Sequence, residues 1–501
     1  MYDAPDVKHR MPCCRADGGD WDLGRTCYDP AMRVTCAARP PARIQALIRF
    51  AGEANDLGDL APQLSHVLNE RLRVAPVTVV PSLGLAAQPL VVAVRAPNWT
   101  DAVETRRRGG AIARALLAER CGSAALVVPE GVAQAALSNL LIGFDQGAYV
   151  WDRYQKTPSH RLTEVVLVSA GAGGPALAHA VSDLSGWVAR ARDLTNLPAG
   201  DLGPAEFEAE ARQVAASTGL ALRVLDEKAC AKLKLGCLLA VGRASPRRPR
   251  LLVLELKGRS KSPPLALCGK GVCFDTGGLN LKNAEGMLLM RKDMSGAAAV
   301  LCAIAAVASM GKPERTVRAY LPLVENAIGS KAFRPGDVLR AFDGTTIEVG
   351  NTDAEGRLIL ADAIGLARHD GAGSIVSVAT LTGAALTALG RIHVPLMATD
   401  DALAERILSA GNETGEKIWR LPMDHEHRAI IRGQVAQLTN APSGGEAGCI
   451  TAGAFVAHFA GEVPFAHLDI SPSCWMPRAW ELGPAGATGT IVTTLARLSC
   501  G

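Results

Sequence analysis

The stretch that most constrains the fold is residues 351–357 (NTDAEGR), where two carboxylates and a guanidinium lie close together in the chain. If this run is extended, the alternation of side chains puts Asp353, Glu355 and Arg357 on one face. Two carboxylates held so close raise the pKa of one of them unless a strong cation lies between them, and a metal ion is the simplest such cation. An apolar, helix-like segment, 358–368, follows at once. The acidic run therefore lies where a loop or strand end meets a helix, a common position for sites in α/β domains.

The composition of the chain excludes several classes of protein. Of its 501 residues 48% are hydrophobic and 20% charged, so the chain can bury a large core and form two or more domains. The net charge of +4 indicates neither a nucleic-acid-binding nor a membrane-surface protein. The 13 cysteines are odd in number and lack CxxC pairs, which argues against a disulfide framework or a zinc ribbon. We see no apolar N-terminal segment and no uninterrupted apolar run of transmembrane length, and therefore expect a cytoplasmic protein.

Hydrophobic patterns divide the chain into three parts. Residues 1–40 are polar, cysteine-rich and aperiodic, and no structure is assigned to them. Residues 41–175 alternate short apolar runs with helical patterns, which indicates an N-terminal α/β domain. Its predicted strands lie at 44–50, 77–80, 90–94, 124–128 and 164–168, and its clearest helix at 103–120.

The third part, residues 176–501, opens with a long helix that ends where proline and glycine mark a stop and a turn. Continuous apolar runs follow, and such runs are typical of strands in a sheet that is covered on both faces. They lie at 251–256, 265–268, 318–324, 375–379 and 465–470. The predicted fold class is α/β with two domains, the second built on a mostly parallel central sheet flanked by helices.

Two further segments of this third part carry charged side chains that we assign to the same candidate site as the acidic run. Lys270 and Asp275 lie in a glycine-rich loop after a predicted strand, and Asp293 precedes a helix of small residues, whose N-terminal dipole favours a carboxylate. With Asp353 and Glu355 these residues supply four carboxylates. Their charge balances two divalent ions, which suits a two-metal site whose ions share ligands and activate a water.

Each of these residues also has an ordinary structural explanation. A glycine-rich loop with a lysine is similar to a phosphate cradle, but GxxxxGK[ST] is absent and the loop does not run straight into a helix. Asp275 or Asp293 alone is more often a helix cap than a ligand. Asp353 and Arg357 could form a simple ion pair, and a single lysine such as Lys282 is most often a solvated surface charge. The combination and its order, rather than any one residue, favour the metal site.

Several segments together carry a resemblance to a known family. They are GKGVCFDTGGLNLK (269–282), MRKDMSGAAAV (290–300), ENAIGSKAFRPGDV (325–338), NTDAEGRLILADA (351–363), ATLTGA (379–384), SGGEAGCITAGAF (443–455) and FAHLDI (465–470). The chain resembles the leucyl aminopeptidase family, also called the cytosol aminopeptidases, in a divergent bacterial-type branch. NTDAEGRL is the signature octapeptide of this family. The resemblance covers roughly residues 185–498, so residues 176–501 are predicted to form the catalytic, dinuclear-metal peptidase domain.

The resemblance implies metal-dependent removal of N-terminal amino acids from peptides, with leucine-like residues preferred. Lys270, Asp275, Asp293 and Glu355 would hold the more tightly bound metal. Asp275, Asp353 and Glu355 would hold the more exchangeable one, with Asp353 also contributing its main-chain carbonyl. The metals would be Mn or Zn, with Mg or Co as alternatives. Lys270 would bind as the neutral amine, because two adjacent cations would lower its pKa far below roughly 10.4.

The family also assigns roles to residues that do not bind metal. Lys282 would remain an ammonium group that polarises the scissile carbonyl, and Arg357 would hold a bicarbonate ion that acts as the general base. The substrate site would be lined by Met290, Asn351, Thr380, Leu381, Thr382 and Gly383. Family members are usually homohexamers of two trimers whose active sites face an inner cavity, so the resemblance implies peptide substrates and a homohexamer. The small net charge argues against membrane and nucleic-acid partners.

Two alternatives come from other classes of protein. A DNA-binding or regulatory role, which some bacterial relatives carry, needs a contiguous basic groove, and the sequence offers only the runs 106–108 (RRR) and 247–250 (RRPR). The first of these is more typical of a solvated helix start. A catalytically silent scaffold would lack at least one ligand or Lys282, and none is missing.

A few remaining residues carry minor expectations. The HxH pair of His425 and His427 stands apart from every motif and is interpreted as surface, and His467 as a satisfied core histidine. Cys273, close to Asp275, suggests sensitivity to oxidants. Gln437 replaces an aspartate common in the family, which weakens inferences about side-chain preference.

Overall fold

The computed structural model describes residues 32–51, 57, 60–168 and 174–500. In the N-terminal part the described strands are β1 (Arg33–Ala37), β2 (Ala46–Ala51), β3 (Val77–Pro81), β4 (Leu90–Arg95), β5 (Ser123–Val127) and β6 (Glu164–Val168). They form one sheet in the order β1-β6-β5-β2-β4-β3, and each neighbouring pair except β3 and β4 is parallel. Its helices are α1 (Pro62–Leu72), α2 (Ala102–Ala118) and α3 (Gln134–Ala148).

Strand β1 lies within the stretch to which the sequence assigned no structure, and that assignment is wrong for residues 33–37. The strand pairs in parallel with β6, from Arg33 opposite Glu164 to Ala37 opposite Val168. Its side chains are exposed or half-buried, as expected at a sheet edge, so the local sequence lacks a strong apolar alternation. Residues 32 and 38–40 form no helix or strand, and residues 1–31 lie outside the described residues.

Helix α4 (Pro175–Asn196) connects the two parts of the chain. Its first half packs on the N-terminal sheet through Leu177 and Val181. Its second half packs into the following core through Val188 and Leu194. The predicted domain boundary between residues 175 and 176 stays a prediction, because this one helix contributes side chains to both cores.

The second part of the chain is built on a nine-stranded mixed sheet. The strands of this part are β7 (Ala221–Leu225), β8 (Arg250–Leu256), β9 (Leu265–Gly269), β10 (Gly271–Asp275), β11 (Val317–Asn326), β12 (Val338–Arg340), β13 (Thr346–Glu348), β14 (Ser374–Ala379), β15 (Val394–Ala398), β16 (Ile418–Arg420), β17 (Leu438–Thr439), β18 (Phe465–Asp469), β19 (Trp475–Met476) and β20 (Gly486–Ala487). The main sheet has the order β16-β15-β18-β14-β9-β11-β8-β7, with β10 beside β11. Its four central strands, β18, β14, β9 and β11, are parallel, which confirms the predicted α/β fold class.

Helices cover both faces of this sheet, which is why its strands are continuously apolar. The helices are α5 (Pro204–Thr218), α6 (Glu227–Lys232), α7 (Gly236–Gly242), α8 (Ala284–Leu288), a 3₁₀ helix (Met290–Met294), α9 (Ser295–Met310), α10 (Gly356–His369), α11 (Gly383–Leu389), α12 (Asp401–Thr414), α13 (His425–Ile430), α14 (Gly448–His458) and α15 (Val492–Cys500). One core includes α9 and α15, and the other includes α10 and α14. The central strands therefore hold two helix layers and the loops at their ends in fixed positions.

One helix in the described ranges is long and apolar enough to cross a membrane. It runs from Met290 to Met310 and combines the 3₁₀ helix with α9. The helix includes Arg291, Lys292 and Asp293, so it is not the uninterrupted apolar run that the sequence expectation excluded. Most of the helix is buried inside the protein, with Ala297, Leu301 and Ile304 in the core of the central sheet. Its position is that of a core helix.

Arg106, in the basic run of α2, is buried, so the interpretation of this run as a solvated helix start is wrong for that residue. Its guanidinium donates to Gln146 Oε1 at 2.8 Å, to Thr493 Oγ1 at 3.0 Å and to the carbonyl of Thr414. A buried charge needs such partners to offset its lost hydration. Because Thr414 and Thr493 belong to α12 and α15, Arg106 joins the N-terminal part to the second part.

His467 in β18 is fully buried, as the sequence predicts for a core histidine, and its Nδ1 lies 2.7 Å from Ser377 Oγ in β14. Burial lowers its pKa to about 4. An unfolded histidine titrates near pH 6.5, so between roughly pH 6.5 and pH 4 the unfolded chain binds more protons than the folded one. The protein should therefore lose stability as the pH falls through this window.

We predict that His467→Asn, whose amide can still reach Ser377, removes up to about 3 kcal/mol of this acid-dependent loss. Urea denaturation at a series of pH values measures the free energy of unfolding. The same substitution at the exposed His425, His425→Asn, serves as the control. Parallel pH profiles for wild type and His467→Asn would contradict the prediction.

Candidate metal centre

Polar side chains meet at the carboxyl edge of the central parallel strands. β9 and β14 are adjacent and parallel, so the residues that follow them, Lys270 and Thr380, lie side by side. The amide of Lys270 donates to the carbonyl of Val378 at 3.0 Å, and its Nζ donates to the carbonyl of Thr380 at 2.7 Å. The lysine is thus directed inward beneath the loops of this edge.

The sequence predicted that Lys270 and Asp275 share one glycine-rich loop, but strand β10 begins between them. Lys270 lies between two strands, and Asp275 is the last residue of β10. The pairing of β10 with β11 is non-local, so no local pattern reveals this strand. The loop itself begins after Asp275 and contains Gly277 and Gly278, whose positive φ angles of 85° and 64° favour glycine.

The acidic run 351–357 is not extended. Thr352 and Asp353 form a turn, and Glu355 has helical backbone angles, with φ −77° and ψ −33°, immediately before α10. The predicted alternation that would align Asp353, Glu355 and Arg357 on one face is therefore wrong. The carboxylates reach the site from a turn and from the start of a helix.

This turn is fixed by residues that are distant in sequence. Thr352 Oγ1 donates to the carbonyl of Gly277 at 2.6 Å, and the Thr352 amide donates to Asn280 Oδ1 at 2.8 Å. Asn326 Nδ2 donates to the Thr352 carbonyl at 3.0 Å and to Asp275 Oδ1 at 2.8 Å. The glycine-rich loop and the acidic turn are thereby joined into one structure.

Three carboxylates form a compact buried cluster. Oxygen atoms of Asp275, Asp293 and Glu355 all lie within 4.8 Å of one another, and each residue is at most 4% exposed. Burial, and then the charge of Asp275, raise the pKa of Glu355 to about 7 and that of the neighbouring Asp353 to about 6. Burial also raises the pKa of Asp293. Such carboxylates are fully ionised only when positive charge lies close to them.

Two lysines supply part of that positive charge. Lys270 Nζ lies 2.8 Å from Asp293 Oδ1 and 2.9 Å from Glu355 Oε1, and Lys282 Nζ lies 2.8 Å from Asp275 Oδ2 and 2.5 Å from Asp353 Oδ1. Burial alone lowers the pKa of each lysine, but the carboxylates outweigh it and raise both above the ordinary value. The expected low pKa of Lys270 therefore depends on the presence of metal ions, since the carboxylates have the opposite effect.

The residues present fit divalent metal ions. Among the described residues, Asp293 Oδ2 and Glu355 Oε2 are buried carboxylate oxygens without a hydrogen-bond partner. Leaving such atoms unpaired is costly, and a cation satisfies them. Clustered carboxylate oxygens beside an amine are also donors that suit Mn²⁺ or Zn²⁺.

The residues predicted to line the substrate site lie around this cluster to different extents. Thr380 Oγ1 donates to Asp293 Oδ1 at 2.7 Å, and Asn351 Oδ1 accepts from the amide of Asp353 at 2.7 Å. Leu381, Thr382 and Gly383 follow β14 and lead into α11, with the Thr382 hydroxyl as its cap. Met290 is half-buried at the start of the 3₁₀ helix that carries Asp293.

Arg357 is the second residue of α10 and is buried. Its Nη1 donates to the carbonyl of Asn440 at 2.7 Å, whereas its Nε has no partner among the described residues. Burial lowers its pKa to about 10, against the opposing charges of Glu355 and Asp469. The group is still a cation at neutral pH, and its free N–H can bind an anion.

The sequence did not identify three polar residues that hold the site together: Asn326, Asn440 and Asp469. Asp469 accepts from the Leu381 amide at 3.1 Å and from the Thr382 hydroxyl at 2.8 Å. All three are fully buried at or just after the end of a strand. For Asn326 and Asp469 the available signal was a polar residue at the end of a largely apolar strand, whereas Asn440 follows the two-residue β17 and carried no such signal.

Other sequence candidates do not contribute to a site. His425 is exposed, and His427 Nδ1 accepts from the amide of Asp424 at 3.1 Å, so the HxH pair serves the start of α13. In the described ranges the carboxylate cluster is the one group of three or more His, Cys, Asp or Glu side chains suited to a metal. Cys273 is buried and burial raises the pKa of its thiol, which contradicts the expected oxidant sensitivity.

The second basic run, 247–250, is neutralised by ion pairs. Arg247 lies 3.3 Å from Glu325, Arg248 lies 3.7 Å from Glu227, and Arg250 pairs with Glu208. Together with the buried Arg106, these contacts leave neither run as a contiguous unpaired basic surface. Neither run supports the DNA-binding alternative.

The sequence matches the model of the cytosol aminopeptidase family, catalytic domain, over residues 189–496. The chain belongs to the cytosol aminopeptidase family. A probable cytosol aminopeptidase of Solibacter usitatus is 40% identical to it over 429 residues, which cover 83% of this chain and 87% of that protein. Membership confirms the resemblance found in the sequence and makes the protein a metal-dependent aminopeptidase, a hydrolase that acts on peptides.

Solved structures of family proteins have the same fold. The bottromycin maturation enzyme BotP in complex with Mn is 32% identical, with a TM-score of 0.79 over 94% of this chain and 99% of that one. A variant of tomato leucine aminopeptidase is 27% identical, with a TM-score of 0.82 over 95% of this chain and 98% of that one. The likeness therefore extends over both sheets.

Gly356, the first residue of α10, makes room for Lys270. A Cβ atom at this position would lie 2.6 Å from Lys270 Cε and 2.7 Å from its Nζ. Alanine is otherwise the better helix former, by about 1 kcal/mol. If alanine at this position reduces metal binding or activity, the cause is therefore displacement of the lysine and not a less stable helix.

We predict that Gly356→Ala displaces Lys270 and lowers both bound metal and kcat/KM by about 10- to 100-fold. Metal content after dialysis and peptide hydrolysis measure the two effects. Gly200→Ala is the control, because a Cβ there meets no atom within 4 Å. Unchanged metal content and activity in Gly356→Ala would show that Lys270 does not depend on this space.

Proposed function

We propose that the protein hydrolyses the N-terminal residue of peptides with two divalent metal ions and a metal-activated water. The observation that carries this proposal is the buried cluster of Asp275, Asp293 and Glu355 with its unpaired carboxylate oxygens. Lys270 and these three carboxylates would hold one ion. Asp275, Glu355 and both the carboxylate and the main-chain carbonyl of Asp353 would hold the other. When bound, the ions supply a nucleophilic water and polarise the peptide carbonyl.

Lys282 is proposed to stabilise the negative charge that develops on the oxygen of the scissile carbonyl. It is suited to this role because the carboxylates around it raise its pKa and keep it an ammonium group at neutral pH. It also borders the site, since its side chain is only partly buried and contacts Asp275 and Asp353. A fixed cation at this position lowers the barrier most when water is excluded around it.

A base is still needed to take a proton from the attacking water. His467 is buried in β18 against Ser377 and is neutral at ordinary pH, so it is poorly placed for this task. We propose that Arg357 binds a bicarbonate ion that acts as the base, with main-chain groups of residues 380–383 around it. The unpaired Nε of Arg357 supports an anion at this position.

Peptides with leucine-like N-terminal residues are the proposed substrates. The similarity to a tomato leucine aminopeptidase supports this preference. The free α-amine would bind a metal ion and a nearby carboxylate, which restricts cleavage to the N-terminus. Met290, Asn351 and residues 380–383 would contact the substrate. We further propose Mn or Zn as the metal, a homohexamer as the assembly and the cytoplasm as the location.

Metal removal tests the central proposal. Chelator-stripped protein should not hydrolyse leucine p-nitroanilide, and Mn²⁺ or Zn²⁺ should restore hydrolysis. Lys282→Ala should bind the ions but lose about 100-fold or more in kcat, because it removes a charge used in the transition state. Glu355→Ala should lose both metal and activity. Lys261→Ala, on an exposed loop, serves as the control, and metal-independent hydrolysis would refute the proposal.

The bicarbonate proposal makes a separate prediction. In bicarbonate-depleted buffer the wild-type rate should fall and return on addition of bicarbonate, since a general base contributes about 100-fold or more. Arg357→Met should be slow in both buffers, because it removes the cation that holds the anion. Arg334→Met, in an exposed ion pair with Asp337, should behave as wild type. A wild-type rate that is independent of bicarbonate would exclude this base.

A further inference from the structure

Asn440 contacts the acidic turn from the end of the segment 435–440. It follows β17, is completely buried, and makes four hydrogen bonds with its side-chain amide. Oδ1 accepts from the amides of Gly350 at 2.8 Å and Asn351 at 3.3 Å. Nδ2 donates to the carbonyls of Asn351 at 2.7 Å and Ala354 at 3.2 Å. The side chain thus binds the backbone on both sides of Asp353.

The main chain of Asn440 makes a further contact with the site. Its carbonyl accepts from Arg357 Nη1 at 2.7 Å. One residue therefore connects the turn that carries Asp353 and Glu355 with the guanidinium that follows in α10. The distance between the carboxylates and Arg357 is set through this residue as well as through the helix.

Asparagine is the side chain that these partners require. Two partners are N–H groups and two are carbonyls, so the orientation of the amide is fixed by chemistry. Aspartate would direct a carboxylate oxygen at two carbonyl oxygens, and alanine would remove all four bonds, leaving only the Asn351 carbonyl with another partner, the amide of Ala354. Unpaired groups of this kind are costly, and the turn would move to hydrate them.

The position of Asn440 does not itself depend on the turn. β17 pairs with β13, and the amide of Asn440 donates to the carbonyl of Glu348 at 3.2 Å. Gln437 Oε1 accepts from the amide of Thr346 at 2.9 Å and from its hydroxyl at 3.2 Å. The segment is therefore attached to β13 by contacts that do not reach residues 350–357.

We propose that Asn440 is a positioning residue for the aminopeptidase reaction, which holds Asp353 and Glu355 at the correct distance from Arg357. It does not touch the reacting atoms and acts through the backbone of the acidic turn. This inference rests on the proposed function, since it assigns a role in placing the proposed metal ligands and the proposed anion site. Its loss should lower kcat and metal affinity while KM changes little.

The test compares Asn440→Ala with Gln437→Ala, a variant of the same segment that loses bonds to β13 but none to the turn. Metal-stripped protein is titrated with Mn²⁺ to obtain the dissociation constant, and kcat and KM are measured on the Mn²⁺-loaded protein. For Asn440→Ala we expect kcat to fall and the Mn²⁺ dissociation constant to rise, each by about 10- to 100-fold. Gln437→Ala should stay within about threefold of wild type in both.

A second variant distinguishes an effect on positioning from misfolding of Asn440→Ala. Asn440→Asp keeps the size of the side chain and the two bonds from the amides of Gly350 and Asn351, but turns a donor into an acceptor. It should resemble Asn440→Ala in Mn²⁺ affinity and kcat. Wild-type behaviour of both Asn440 variants, or equal losses in Gln437→Ala, would overturn the proposal. An inactive wild type would instead refute the proposed function, and the Mn²⁺ titrations would then decide the positioning role alone.

Discussion

Four carboxylates packed beneath loops cannot all be ionised unless positive charge lies among them, and this constraint governs the architecture of the site. Lys270 and Lys282 each bridge a pair of carboxylates. The two lysines leave the cluster with a net negative charge and with buried oxygens that lack partners. Binding of divalent cations should therefore stabilise the site, because the cations neutralise the negative charge that the two lysines leave.

The carboxylates of this cluster repel one another, so the surrounding residues must hold them in place. Neutral amide groups do much of this: Asn326 links Asp275 to the acidic turn, and Asn440 links that turn to Arg357. Amides add no net charge and satisfy both donors and acceptors of the backbone. Carboxylates in their place would add repulsion, whereas apolar side chains would leave backbone groups unpaired. Buried asparagines are therefore the chemically suitable supports around an acidic site.

The sequence predicted the central strands well because each is covered on both faces and reads as a continuous apolar run. It also grouped charged residues that the structure brings together, because their types and order form a specific combination. It could not predict β10, or the turn at Thr352, because both depend on partners distant in the chain. Arg106 was misjudged for the same reason, since the Thr414 and Thr493 that surround it lie far along the sequence. Local patterns report on burial, whereas the residues that complete a site are defined by tertiary contacts.

The contacts of Arg106 also bear on how the two parts of the chain move. Arg106 and Arg192 are both buried and both bond to Gln146, the first to its side chain and the second to its carbonyl. Arg192 also donates to the carbonyl of Ala487 at 2.9 Å. Separating the two parts would break the bonds from Arg106 to Thr414 and Thr493 and from Arg192 to Ala487, and a hydrogen bond to a charged group contributes about 1.5–3 kcal/mol. The N-terminal sheet and the catalytic sheet are therefore expected to behave as one unit, so that adjustments during catalysis fall to the loops at the strand ends rather than to the joint between the sheets.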